Sequence, residues 1–99
     1  MSMHLDAVYP PQVEPGGPVH LEGSDLGLAR WAVFTDAQAK HTVTVAATAE
    51  DVGRAVDSVC PDGLDKPSQG TIAVSDAETR EQVSSSNTSN TVALGFVNR

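Results

Sequence analysis

A glycine-rich stretch, EPGGPVHLEGSDLG at positions 14–27, is the first feature of the sequence that could carry chemistry, because such loops can cradle phosphate. A Walker-type phosphate loop needs a Lys beside the phosphates, and a dinucleotide loop needs a strand before it and a helix after it. The nearby cations are His20 and Arg30, prolines precede the predicted strand, and another strand follows. We therefore expect turn glycines rather than a phosphate site, with a positive φ in the loop between Gly23 and Gly27.

Side chains that could bind a metal or activate a nucleophile are scattered along the chain. His4, His20 and His41 lie far apart, and none belongs to a close-spaced ligand pair. Asp62 and Asp65 flank a glycine but lack the dense oxygen-ligand spacing of a calcium loop, so a solvated turn is the simpler interpretation. No Gly-x-Ser-x-Gly motif is present. We expect no catalytic residue, no metal site and no cofactor, and hence no enzymatic activity.

The aromatic residues are the most informative candidates for contact with a partner. Trp31 and Phe34 lie three positions apart in a predicted strand, so the two-residue period of a strand places them on opposite faces. If one belongs to the core, the other points outward, where a large aromatic side chain is typical of protein interfaces. The alternative is that the strand begins after Trp31 or bulges, so that both rings reach the core.

Composition favours one all-β domain. Among the 99 residues are 13 valines, six leucines and one isoleucine, and β-branched side chains favour strands. Seven runs alternate with turn signals at the spacing expected of a sandwich. The predicted strands are 4–9, 18–22, 30–35, 41–46, 54–60, 71–75 and 91–97.

Two segments between these strands need separate interpretation. Thr48 followed by acidic residues resembles a helix start, so we predict a short helical turn at 49–53 that runs into a strand. Residues 84–91, SSSNTSNT, have no apolar side chain and are predicted to be a flexible polar loop within the single domain 1–99.

The charge and the single cysteine limit the partners and the compartment. Thirteen acidic residues against six Lys and Arg give a net charge of −7, which disfavours nucleic acid and anionic membrane surfaces. Cys60 is the single cysteine, so an intrachain disulfide is not possible, and it is expected to be a small buried residue. With no signal peptide at the N-terminus and no apolar run long enough to span a bilayer, we expect synthesis in the cytoplasm without membrane insertion.

Several short motifs follow one another along the chain: AVYP at 7–10, the glycine-rich stretch at 14–27, WAVF, VDSVCPDG, QGTIAVSD and VALGFVN. Their order resembles the IPT/TIG family of immunoglobulin-like domains. A second proline at position 11, the EPGG approach and the long polar loop before the last strand depart from the family pattern. The residues that match it are Pro10, Gly16, Gly17, Leu21, Gly23, Asp25, Leu26, Gly27, Pro61, Gly70 and Phe96.

The resemblance implies an immunoglobulin-like β-sandwich of about seven strands with an interaction role and no shared catalytic residues. The chain starts at Met1 and ends just after its last predicted strand, so we expect a free-standing domain. A structural component of a bacteriophage virion, at the capsid surface, tail or baseplate, fits these features, with protein partners and possible self-association. The alternative is a carbohydrate- or cell-surface-binding module, which usually displays coplanar aromatic rings.

Overall fold

Two β-sheets pack face to face in the computed structural model, which describes residues 3–50, 53–65 and 67–97. There is no α-helix in those ranges. Short 3₁₀ turns lie at Ala37–Ala39, Arg80–Gln82 and Ser85–Asn87. The strands are β1 (His4–Tyr9), β2 (Gln12–Val13), β3 (Pro18–Ser24), β4 (Trp31–Thr35), β5 (Thr42–Ala46), β6 (Thr48–Ala49), β7 (Ala55–Val59), β8 (Ser68–Ser75) and β9 (Val92–Phe96).

The first sheet has the strand order β1-β3-β7-β6, and the second has the order β2-β9-β8-β4-β5. All neighbouring strands are antiparallel except β2 and β9, which run parallel. The prediction of an all-β sandwich is confirmed. All seven predicted strands are present, and two further strands of two residues each, β2 and β6, complete the sheets.

The core lies between the sheets because alternate residues of each strand turn inward. Val19 and Leu21 of β3 face it, as the alternation of that strand predicts, and the rings of Phe34 and Phe96 lie 6.3 Å apart in its centre. Cys60 is 3% exposed, so its predicted burial is confirmed. Ser58, a buried polar residue of β7, donates its hydroxyl to the Ala46 carbonyl at 2.9 Å and so ties the two sheets together.

A bulge in β1 changes which of its side chains face the core. Leu5 pairs with Gly23 and Ala7 with Glu22, so β1 uses one residue more than β3 does. Leu5 and Val8 are therefore both buried although three positions separate them. Gly23 is required opposite the bulge, since a Cβ there would collide with the carbonyl oxygen of His4.

One local prediction is confirmed and another is wrong. The predicted positive φ in the loop between Gly23 and Gly27 occurs at Asp25, at φ 57°, and at neither glycine. Residues Thr48 and Ala49 form β6, not the start of a helical turn, because they pair with Asp57 and Val56 of β7. The rest of that predicted turn includes residues 51 and 52, which lie outside the described ranges.

The segment 84–91 is a loop, as its composition predicts, and its side chains bind the sandwich. Asn90 accepts from the backbone N–H of Leu5 at 2.7 Å and donates to the Leu5 carbonyl at 3.0 Å. Asn87 accepts from the Ser75 hydroxyl at 2.9 Å. The flexibility of the segment 84–91 stays a prediction.

Candidate interaction surface

The two aromatic candidates lie on opposite faces of β4, as their spacing predicts. The strand is regular from Trp31 onward, so Phe34 points into the core and is completely buried. The prediction that Phe34 contacts a partner is therefore wrong. Trp31 lies on the outer face of the five-stranded sheet, partly buried, with its indole N–H donating to the Ala77 carbonyl at 3.0 Å.

The largest exposed apolar side chains beside a concave surface are Tyr9 and Val59, which sequence reasoning did not select. Both lie on the outer face of the four-stranded sheet and are 53% and 51% exposed. They line an open groove of about 1010 Å³ where that sheet approaches the end of β5. We call it the edge groove; it is lined by Tyr9, Pro10, Pro18, Val19, His20, Val45, Ala46, Thr48, Asp57, Ser58, Val59, Cys60 and Pro61.

Strand pairing determines which side chains lie next to one another in the edge groove. Tyr9 is opposite His20, and His20 is opposite Asp57, so these three side chains form one row across the sheet. Pro18 and Val59 form the next row. Strand β7 extends two residues beyond its pairing with β6, which leaves room beside Val59. The groove therefore has an apolar end at Val59 and a polar end at His20.

Charges concentrate at the polar end. His20 Nδ1 lies 2.7 Å from an Asp57 carboxylate oxygen, and its Nε2 lies 3.5 Å from Glu22. The hydrogen bond to Asp57 raises the pKa of His20 above its ordinary 6.5; slight burial opposes this, and the charges of Asp57, Glu22 and Glu50 add to it. This row is consequently acidic whenever His20 is neutral.

A second polar cluster lies at the opposite end of β5, where Asp36 is buried between two connections. Its carboxylate accepts from the backbone N–H of His41 at 2.9 Å, from His41 Nδ1 at 2.7 Å and from the backbone N–H of Asp65 at 2.9 Å. Burial alone would raise its pKa, but the hydrogen bonds from Asp65 and His41 prevail and lower it from 3.8 to about 2. We call this cluster the Asp36 clamp.

The Asp36 clamp brings together residue types that can ligate a metal. Ligand atoms of Asp36, His41 and Asp65 all lie within 4.8 Å of one another. Both Asp36 oxygens already accept hydrogen bonds, however, and the Lys40 ammonium lies 3.9 Å from Asp65. The geometry suits a hydrogen-bonded structural clamp that joins the β4–β5 turn to the loop before β8.

Sequence reasoning missed both the groove and the clamp for identifiable reasons. Strict alternation from Leu5 would place Tyr9 inward, and the bulge reverses that orientation. Asp36 and Asp65 are 29 residues apart, and only the folded sheet brings them together. The spacing of Asp36 and His41 across a predicted turn was the one available signal.

These features define the class of the protein as an all-β sandwich domain with an apolar groove at one sheet edge. No protein-family model and no curated protein matches the chain. Among solved structures it is similar to the crystal structure of CopC from Methylosinus trichosporium OB3b, with a TM-score of 0.51 and 15% sequence identity. The similarity covers 98% of this chain and 95% of that chain. At this identity it shows the fold alone, and membership of the IPT/TIG family stays a prediction.

Proposed function

We propose that the protein is a non-enzymatic interaction domain that holds another protein in the edge groove. The observation that carries the proposal is the pair of large apolar side chains, Tyr9 and Val59, that stand about half exposed beside an open concave surface. Contiguous exposed apolar surface rimmed by polar groups is characteristic of protein-binding sites. Pro10 and Pro18 extend the apolar end, and Asp57 with His20 supplies the polar rim.

On this proposal, the partner protein belongs to a bacteriophage virion, and the domain lies on the capsid surface, tail or baseplate. An acidic single-domain sandwich suits a component that adds to a preformed particle, because its net charge of −7 limits non-specific binding to nucleic acid. Trp31, partly exposed on the opposite sheet, is a second candidate contact.

The placement of the aromatic rings disfavours a carbohydrate-binding module. Phe34 and Phe96 are buried in the core. Tyr9 lies on the outer face of the four-stranded sheet, and Trp31 on the outer face of the other sheet. The two accessible rings therefore face opposite sides of the sandwich and do not form one stacking platform for a sugar chain.

The test is incorporation of variants into particles purified from the cells that make the protein. Val59→Ser and Tyr9→Ser should reduce the amount of the chain per particle by about tenfold, because buried apolar anchors dominate interface affinity. Leu28→Ser is the matched control, since Leu28 is 70% exposed and lies outside the groove.

A photo-crosslinking amino acid at position 9 should yield one defined adduct with a particle protein, and the same group at position 28 none. Equal incorporation of all three variants would overturn the role of the groove. A chain absent from particles but crosslinked through position 9 to another protein would remove only the virion assignment.

A further inference from the structure

The outer face of the four-stranded sheet changes from apolar to acidic along the direction of its strands. The register of β3 and β7 sets side chains of the two strands in rows across this face. Pro18 and Val59 form the first row, at the apolar end of the edge groove. His20 and Asp57 form the second, and Glu22 of β3 begins the third. Successive rows are two residues apart along each strand, so they lie about 7 Å apart.

A smaller hollow of about 470 Å³ continues the edge groove beyond His20, which lines both. We call it the acidic hollow; it is lined by Asp6, His20, Glu22, Gly23, Glu50, Arg54 and Ala55. Together with Asp57 beside it, this surface has four carboxylates against one guanidinium and one imidazole. An excess of negative charge therefore remains in either protonation state of His20.

The position of His20 shows that this surface stabilises a cation. Its Nδ1 lies 2.7 Å from an Asp57 oxygen and its Nε2 lies 3.5 Å from a Glu22 oxygen, so each ring nitrogen has a carboxylate beside it. The hydrogen bond to Asp57 raises the pKa of His20 against the effect of slight burial, and the charges of Asp57, Glu22 and Glu50 raise it further. The Asp57 and Glu22 side chains are 56% and 53% exposed, which leaves carboxylate lone pairs accessible to a partner.

We propose that the edge groove and the acidic hollow together bind an extended segment of another protein, which has Arg or Lys two and four positions from an apolar residue. This inference rests on the proposed function and specifies the chemistry of the partner. The segment runs along the strands: its apolar side chain packs against Tyr9 and Val59, its first cation reaches Asp57, and its second reaches Glu22 in the acidic hollow. Residues two apart in an extended chain share one face at about 7 Å, which is the spacing of the rows.

The sequence of this chain excludes a second copy as the occupant. No two of its six Lys and Arg lie within four positions of each other, so it does not contain the pattern that the rows require. A second copy would also bring a net charge of −7 to an acidic surface. A basic segment of a different protein complements both the apolar end and the acidic end.

A blocked pentapeptide, Leu-Thr-Arg-Thr-Arg, tests the proposal. Its control has citrulline in place of each Arg, which keeps the shape of the side chain and removes the charge. In NMR titrations of isotope-labelled protein, we expect the Arg peptide to shift the amide signals of His20, Asp57 and Val59. It should bind about tenfold more tightly than the citrulline peptide, because two partly exposed ion pairs are lost in the control. Equal affinities, no binding of the Arg peptide, or shifts confined to other parts of the chain would overturn the proposal.

Charge-removing variants locate the two cations. Asp57→Asn and Glu22→Gln should each weaken binding of the Arg peptide about threefold and leave the citrulline peptide unaffected. Glu81→Gln is the matched control, because it removes the same charge from the turn Arg80–Gln82, outside the edge groove and the acidic hollow. An equal effect of all three variants would overturn the proposal, because net charge rather than these carboxylates would then attract the peptide.

Incorporation into particles separates this inference from the proposed function. We expect Asp57→Asn and Glu22→Gln to lower the amount of the chain per particle, as Val59→Ser does, and Glu81→Gln to leave it unchanged. Reduced incorporation of Val59→Ser together with an Arg peptide that does not bind would overturn the basic segment alone. Incorporation of Val59→Ser at the wild-type level would overturn the proposed function, whatever the peptide does.

Discussion

The Asp36 side chain holds two connections of the chain in place, the β4–β5 turn and the loop before β8. It accepts three hydrogen bonds, one from the backbone of the loop before β8 and two from His41 in the β4–β5 turn. Asp36→Asn keeps the size of the side chain but places an NH₂ group against these donors. We expect a clearly lower urea midpoint of unfolding, because buried donors lose their acceptor. Asp62→Asn, the same change in an exposed turn residue, is the control and should leave the midpoint unchanged.

The Asp36 clamp should also make the free energy of unfolding depend on pH in the acid range. The pKa of Asp36 falls from 3.8 to about 2 on folding, so its contribution is fully present above pH 4 and is lost as the pH falls toward 2. The difference in unfolding free energy between wild type and Asp36→Asn should therefore shrink across this interval. Urea titrations at several pH values measure it, and a difference that stays constant from pH 5 to pH 2 would contradict the low pKa.

His20 provides a second titration, at the rim of the edge groove. Because the bond to Asp57 raises the pKa of His20, its stabilising effect is complete below pH 6.5 and is lost as the pH rises through the folded-state pKa. Following the ring proton of His20 by NMR, we expect Asp57→Asn to lower this pKa toward 6.5. Asp62→Asn again serves as the control, and an unchanged pKa in Asp57→Asn would show that Asp57 is not the cause.

Among the strands, those that show a local alternation of apolar and polar residues could be predicted from the sequence. Val19 and Leu21 alternate with polar residues, and β3 forms as that pattern predicts. Strands β2 and β6 are too short to show a period and exist only because β9 and β7 offer them partners. The bulge in β1 is equally invisible in the sequence, yet it turns Tyr9 outward. The faces of Trp31 and Phe34 were therefore predictable, and the edge groove was not.

The loop at 84–91 shows an element held by side chains rather than by burial. Asn90 satisfies both backbone groups of Leu5 in β1, so Asn90→Ala leaves an amide and a carbonyl without these partners. We expect a loss of about 1–2 kcal/mol in unfolding free energy and faster hydrogen exchange at the Leu5 amide. Ser86→Ala in the same loop is the matched control, because the Ser86 hydroxyl lies 2.8 Å from that of Ser84 and its removal should leave Leu5 unaffected. Equal exchange at Leu5 in both variants would contradict this anchoring.

For the whole molecule, the net charge of −7 determines how association at the edge groove responds to salt. The chain measures 34 × 24 × 18 Å, and no helix in its described part could cross a bilayer. A basic partner in the edge groove would be attracted by the acidic row and released by salt.

Salt therefore tests the charge of a partner in the edge groove. At 0.01 M ionic strength the screening length is about 30 Å, whereas at 0.15 M it is about 8 Å and only charges near the groove count. Binding of a basic partner should weaken over this range, and binding that stays constant would show that apolar contacts rather than the acidic row hold the partner.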